Sequence, residues 1–516
     1  MTAAEDAAVA ASQGRTRQSY DETPYLSAPM MRSHPGRLAA QAHWRGLAAP
    51  WAATARVLEI GCASGGNLLP LAAALPGARC LGVDLSQVQI AAAQAHRQRY
   101  GLANVELRAD SFEALGAADG EFDFIICHGV YSWIPEPLRE ALLRVIRARL
   151  APDGVAMVSF NVLPGWRLFQ IARDSMLLNA KLIADPAQRA ARTRELFAAL
   201  GAQSNDKRTY GRFWRDEAQR MAAGGDAYLA HEIFEDSNAP ETFVDFTARA
   251  GRHELEYLSE AVVVANNEDD LAPEGAGAIR ALADGDRLKR ETYIDIFSGR
   301  SFREALLVRA GRIGPAPAAA PLERLHFIPA LDLEFKEAAD GFALTAGATE
   351  IAVHAADAGP ALRRLVERRP RSSNLADLAP ARESRDAVSE VLRAAVEAGL
   401  LAISILPVEC ATQLAERPQI WRVAALDAAE SDRTVTLRHA AFQLGPLQRL
   451  FAPLLDGAHT RDDLLAVALE MAASGRLSVG GPDGPVTDPA ALRERLGLAA
   501  DAALAGLLRN GLLLGV

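Results

Sequence analysis

Short apolar runs alternate with helical periodicities over the first 310 residues. Residues 57–60 form a run interrupted only by Glu59, followed by the small residues Gly61-Cys62-Ala63-Ser64-Gly65-Gly66-Asn67 and then by Leu68, Leu69, Leu71, Ala72 and Leu75 at helical spacing. This order predicts a buried strand, a tight glycine turn and a helix. Further runs at 80–84, 105–108, 122–127 and 155–160 are separated by helical patterns at about 87–99 and 136–150. Five strands alternating with four helices predict a parallel sheet with right-handed crossovers, whose ligands gather beyond the carboxyl ends of the strands.

The flanking pattern fills in the remainder. Residues 1–19, rich in alanine and small polar side chains, are expected to be a flexible tail. A helical pattern at 36–49 precedes the first strand. The helical stretch at about 166–229 reads as an insertion, and helix 243–249 with runs at 255–265 and 302–308 supplies a sixth and a seventh strand. The proline- and alanine-rich stretch 311–321 reads as a linker. Beyond it, short strands at 342–345 and 351–353 and a helix at 386–399 running into 400–403 predict an α+β domain with a winged-helix-like unit. A second helical unit covers about 445–516.

Composition narrows the classes. A chain of 516 residues exceeds one ordinary core, so two or three domains are expected. Its 55 Lys and Arg against 65 Asp and Glu give a formal net charge of −10, which argues against a nucleic-acid partner and suits a cationic substrate. The helix at 386–399 carries Asp386, Glu390 and Glu397 against Arg393, the wrong balance for reading DNA and a better one for contacting protein. Cys62, Cys80, Cys127 and Cys410 show no CxxC spacing, so neither a metal site nor a disulfide framework is expected and a reducing, cytoplasmic location is. The first ten residues lack the basic and apolar regions of a signal peptide, and no run of 18 apolar residues predicts a membrane span.

A strand, glycine loop and helix form a natural cradle for a nucleotide-like ligand at a helix N-terminus. Asp84 ends the second strand 19 residues beyond Gly65, near the interval at which a carboxylate meets ribose hydroxyls. No GK[ST] follows the glycines, which excludes a P-loop kinase. Tyr20, Tyr25 and His34, just ahead of this fold, either cap the cofactor or pack the first helix onto the sheet.

The stretches VLEIGCASGGN, LGVDLS, RADSF, FDFIICHGVYSW and LAPDGVAMVSFNVLPGW resemble, in order and spacing, the class I S-adenosylmethionine-dependent methyltransferases. The resemblance implies a seven-stranded Rossmann-like sheet and S-adenosylmethionine as cofactor. It places Glu59, Gly61, Cys62, Ala63, Gly65 and Asn67 at the methionine end, Asp84 and Leu85 at the ribose, Asp110 and Ser111 at the adenine and His128 near the sulfonium. Many members carry glycine where this chain has Ala63. The motifs SHP, HGVYSW and NVLPGW, with a pattern running from His231-Glu232 to Leu307, are similar to the subgroup with a methyltransferase regulatory domain (here about 230–310), which includes rickettsial protein-lysine methyltransferases. That subgroup implies a protein substrate bearing lysine side chains and a homodimer.

Tyr131 and Trp133 follow the fourth strand, and Asn161 and Trp166 the fifth. They are candidates for the methyl-acceptor channel, where aromatic faces receive an ammonium by cation–π contact, or alternatively for core packing. A protein lysine methyltransferase is the leading expectation. A small-molecule methyltransferase and a non-catalytic cofactor-binding scaffold are its competitors.

Overall fold

The computed structural model describes residues 3–515 except 26, 203–206, 224–230, 236, 267–270, 315–320, 339–340, 382–383, 482–483 and 487. Its central sheet comprises β1 (Arg56–Ile60), β2 (Arg79–Asp84), β3 (Val105–Ala109), β4 (Phe122–Cys127), β5 (Leu150–Leu163), the short β6 (Glu241–Thr242), β7 (Leu255–Glu260) and β8 (Phe302–Arg309). The order is β3-β2-β1-β4-β5-β8-β7, with β6 pairing the end of β5. Strands β1 to β5 are parallel. β8 runs antiparallel between β5 and β7. The sixth strand stops at Glu260, short of the expected 265, and the fifth is longer than 155–160.

Both faces of this sheet are covered, which is why its strands read as nearly continuous apolar runs. Val57, Phe124, Ile126, Val155 and Met157 pack on one side, and Leu58, Ile60, Ile125, Ala156 and Val158 on the other. The helices before and between the strands are α1 (Ala3–Glu22), α2 (Pro35–Trp44), α3 (Leu68–Ala74), α4 (Gln87–Tyr100) and α5 (Glu136–Arg149). The expected tail is thus largely helix α1. Its alanine-rich sequence has high intrinsic helix propensity, and its last turns are tied down: Tyr20 stacks on His231 at 4.2 Å and Ser19 Oγ donates to Glu235 at 3.2 Å.

The described residues of the insertion form three helices, α6 (Trp166–Lys181), α7 (Pro186–Ala202) and α8 (Thr209–Ala223), and its expected end near 229 lies outside the described residues. It has its own core of Phe169, Met176, Phe197, Trp214, Met221 and Ile233. The regulatory region is pinned to β8 by Arg303, which is fully buried. Its guanidinium meets Glu260 at 2.5 Å, Asp295 at 2.8 Å and Glu291 at 3.1 Å, and lies 4.1 Å from the Phe243 ring.

The middle of the expected linker, 315–320, lies outside the described residues. After it, His326–Pro329, Ser373–Asn374 and Leu401–Ser404 form a three-stranded sheet beside helix Arg385–Glu397. A second unit holds helices Arg422–Glu430, Arg461–Ala473 and Pro489–Arg509 and a hairpin of Arg433–Val435 with Ala441–Gln443. Both units pack on the sheet domain. Ile405 N–H donates to Gly36 O at 2.9 Å, Tyr100 Oη–H to Asp427 Oδ1 at 2.6 Å, and Leu406, Val423 and Val435 join the sheet's own core.

Candidate cofactor and acceptor site

The turn after β1 has little steric freedom. Gly61 has φ +76°, and a Cβ there would come within 2.4 Å of Val130 Cγ2, so only glycine fits. Ala63 also has a left-handed φ, +46°, which explains the glycine that many relatives of this pattern carry there. Alanine takes that conformation at a cost of roughly 1–2 kcal/mol, and its N–H is held by Asp84 Oδ2 at 2.8 Å. The other Asp84 oxygen accepts from Ser86 N–H at 2.9 Å. Asp84 therefore ties the loop after β1 to the start of α4, and each of its oxygens keeps a lone pair for a ligand hydroxyl. Burial raises its carboxyl pKa, against the two N–H bonds that lower it.

These groups open onto a cavity of about 400 Å³ at the carboxyl ends of the strands, within the roughly 300–1,000 Å³ typical of small-molecule sites. Glu59, Gly61, Cys62, Ala63 and Asn67 from the turn after β1, Asp84 and Leu85 from the end of β2 and Asp110 from the end of β3 all line it. Glu59 is 3% exposed. Its Oε1 accepts from Asn67 Nδ2 at 3.0 Å, while Oε2 is buried without a protein partner. Burial pushes its carboxyl up to about 8. His128 also lines the cavity, its Nδ1 buried without a hydrogen bond and 3.9 Å from Glu304 Oε1, and burial with nearby Arg32 lowers its ring to about 4. Trp133, Asn161 and Trp166 line the cavity too, and Asn161 Nδ2 and Trp166 Nε1 are buried without a hydrogen-bond partner.

Four expected site residues are placed elsewhere. His34 is the N-cap of α2, its Nδ1 accepting from Gly36 N–H at 3.2 Å. Tyr131 is fully buried in the core beside Phe160 and Phe246 and donates to Glu241 Oε2 at 2.7 Å, so packing rather than acceptor contact accounts for it. Gly65 adjoins the cavity but turns away; with φ +78° it shapes the entry to α3. Ser111 caps the short helix Phe112–Ala114, and Phe112 takes its place on the cavity wall.

Sequence reasoning missed several lining groups. Gln13, Thr16 and Arg17 of α1 line the cavity beside Tyr20 and Tyr25, the two tyrosines expected as a cap. Arg220, His231 and Glu232 come from the insertion and the segment after it. Burial pushes the Glu232 carboxyl up to about 7. The only signal for Glu232 was its place beside His231 in the regulatory-domain pattern.

The donor set fits S-adenosylmethionine. A buried carboxylate with a free oxygen suits an ammonium, a strand-end carboxylate suits a ribose diol, and the cavity volume suits the whole molecule. Among the described residues, no group of three or more His, Cys, Asp or Glu is placed to hold a metal ion.

Comparisons with known proteins agree with this geometry. The family model described as a methyltransferase domain matches residues 57–154, a predicted methyltransferase regulatory domain matches 225–309, and a PKMT C-terminal winged helix domain matches 416–512. Protein RP789 of Rickettsia prowazekii is 35% identical over 289 residues, 56% of this chain and 52% of that protein, so the chain spans about half of that relative's length. RP028 of the same organism is 32% identical over 241 residues, 46% of this chain and 96% of that protein. The structure of PKMT2 from Rickettsia typhi in complex with AdoHcy superposes with a TM-score of 0.84 at 25% identity, covering 95% of this chain and 100% of that one. The chain belongs to the class I S-adenosylmethionine-dependent methyltransferases, in one family with RP028.

Proposed function

We propose that the chain is a protein lysine N-methyltransferase. The observation that carries this reading is a cavity wall that combines two aromatic faces, Trp133 and Trp166, with Asn161 and the carboxylate of Glu232. When bound, S-adenosylmethionine supplies an electrophilic methyl group on a cationic sulfur. Asp84 holds the cofactor's ribose and Glu59 its amino-acid end, and the aromatic walls exclude water from the acceptor. A free lysine titrates near about 10.4, and an apolar wall lowers that value by disfavouring the ammonium. Glu232, whose carboxyl burial pushes up to about 7, receives the ammonium in a charge-assisted hydrogen bond and takes its proton at a carboxylate oxygen. The match to the PKMT winged-helix model and the likeness to PKMT2 support a protein acceptor.

Incubation with methyl-labelled cofactor and fractionated bacterial lysate tests this reading. Label should appear in protein bands and, after hydrolysis, on lysine. Label confined to small metabolites, or none despite measurable cofactor binding, contradicts it.

We further propose a homodimer through α6. Leu168, Ile171, Leu178 and the C-capping Leu182 are 59%, 40%, 63% and 79% exposed, and their spacings of about 3, 7 and 4 put them on one stripe. Leu178→Glu should shift the sedimenting species from dimer to monomer; an unchanged mass removes this interface. Four free, buried cysteines favour a reducing, cytoplasmic setting.

A further inference from the structure

The second C-terminal unit reaches the cofactor site through its hairpin. Strands Arg433–Val435 and Ala441–Gln443 are joined by a turn in which His439 has φ +60° and is 4% exposed. The turn is tied down on several sides. His439 N–H donates to Thr436 O at 2.9 Å, Leu437 N–H to Gly511 O at 3.0 Å, and Arg438 Nη2 to Pro329 O at 2.8 Å.

From there His439 Nε2 lies 2.8 Å from Asn67 Oδ1, the side chain that grips Glu59. Because Asn67 Nδ2 donates to Glu59 Oε1, Oδ1 must accept, and Nε2 of His439 carries the hydrogen. An amide oxygen has two lone pairs. Met30 N–H fills one at 2.9 Å. The single hydroxyl hydrogen of Ser33 is better placed on Met30 O at 2.9 Å than on Asn67 Oδ1 at 3.2 Å. His439 therefore fills the second. Its ring is supported edge-on by His34 at 5.5 Å.

We propose that His439 is a positioning residue for the cofactor: by locking the Asn67 amide it fixes the Glu59 carboxylate, so the C-terminal winged-helix unit sets the affinity of the methyltransferase domain for the methionine end of its ligand. This rests on the cavity being an S-adenosylmethionine site. The hairpin tip is spent on this contact, and its burial takes it out of reach of nucleic acid.

Two probes separate positioning from a general structural role. S-adenosylhomocysteine carries the amino-acid end and 5′-methylthioadenosine lacks it. In calorimetric titrations of the full-length protein, His439→Ala should weaken S-adenosylhomocysteine binding about tenfold, the scale of one lost buried hydrogen bond, and leave methylthioadenosine binding unchanged. His439→Gln, which restores an N–H donor at similar reach, should recover most of the loss. Equal loss for both probes, or no loss for either while the wild type binds, overturns the proposal. A wild type that binds neither probe overturns the cofactor reading itself.

Discussion

Asp84→Ala is expected to weaken binding of S-adenosylhomocysteine by at least about 100-fold. A hydrogen bond to a charged acceptor contributes about 1.5–3 kcal/mol, and losing two from a ribose diol removes about 3–6 kcal/mol, roughly 100-fold to 10,000-fold at about 1.4 kcal/mol per decade. The same carboxylate holds the Ala63 and Ser86 N–H groups. Its removal also releases a loop residue from a left-handed conformation that alanine does not favour. Asp84→Asn keeps one acceptor oxygen and should fall between the two. Isothermal titration decides the point, and unchanged affinity in Asp84→Ala would take this residue out of the site.

Arg303→Met should destabilise the folded chain by about 3–5 kcal/mol, the scale for removing one partner from a buried ion cluster. Glu260, Glu291 and Asp295 would be left around an apolar side chain, each at most 3% exposed. The loss should depend on pH. Burial already raises the Glu291 carboxyl and pushes Asp295 up to about 6 with the guanidinium present, and both rise further without it. A folded-state pKa above the unfolded value means the folded form takes up protons more readily. The two folded forms differ in bound protons only between the variant's raised pKa values and those of the wild type, so the deficit should shrink as pH falls from 8 toward about 6 and change little from Asp295 below that. Urea unfolding of both proteins at pH 8 and pH 5 measures this; a deficit under about 1 kcal/mol at pH 8 would show that the cluster contributes little.

Legibility followed the range of each interaction. The units β1, glycine loop, α3 and β2, Asp84 were readable because their signals are local: apolar runs, glycines where φ is positive, and an acid at a strand end. The sheet's later strands were readable for the same reason. Helix α1 was not, since a run of alanines and small polar residues has no apolar face to announce it, and its place over the cavity depends on Tyr20 meeting His231. Tyr131 and Trp133 were indistinguishable by spacing, yet the short helix Tyr131–Trp133 turns the first into the core and leaves the second on the cavity. The pairing of Asn67 with His439 spans 372 positions. No periodicity encodes it.

The claim on which all of this depends is that the cofactor lies across the carboxyl ends of β1, β2 and β4. Crystals of the full chain grown with S-adenosylhomocysteine measure it directly. The account predicts the ribose hydroxyls on Asp84, the amino-acid end beside Glu59 and Asn67, and the sulfur facing the end of the cavity formed by Trp133, Asn161 and Trp166. Density for the ligand elsewhere, or a ribose with no contact to Asp84, would contradict it.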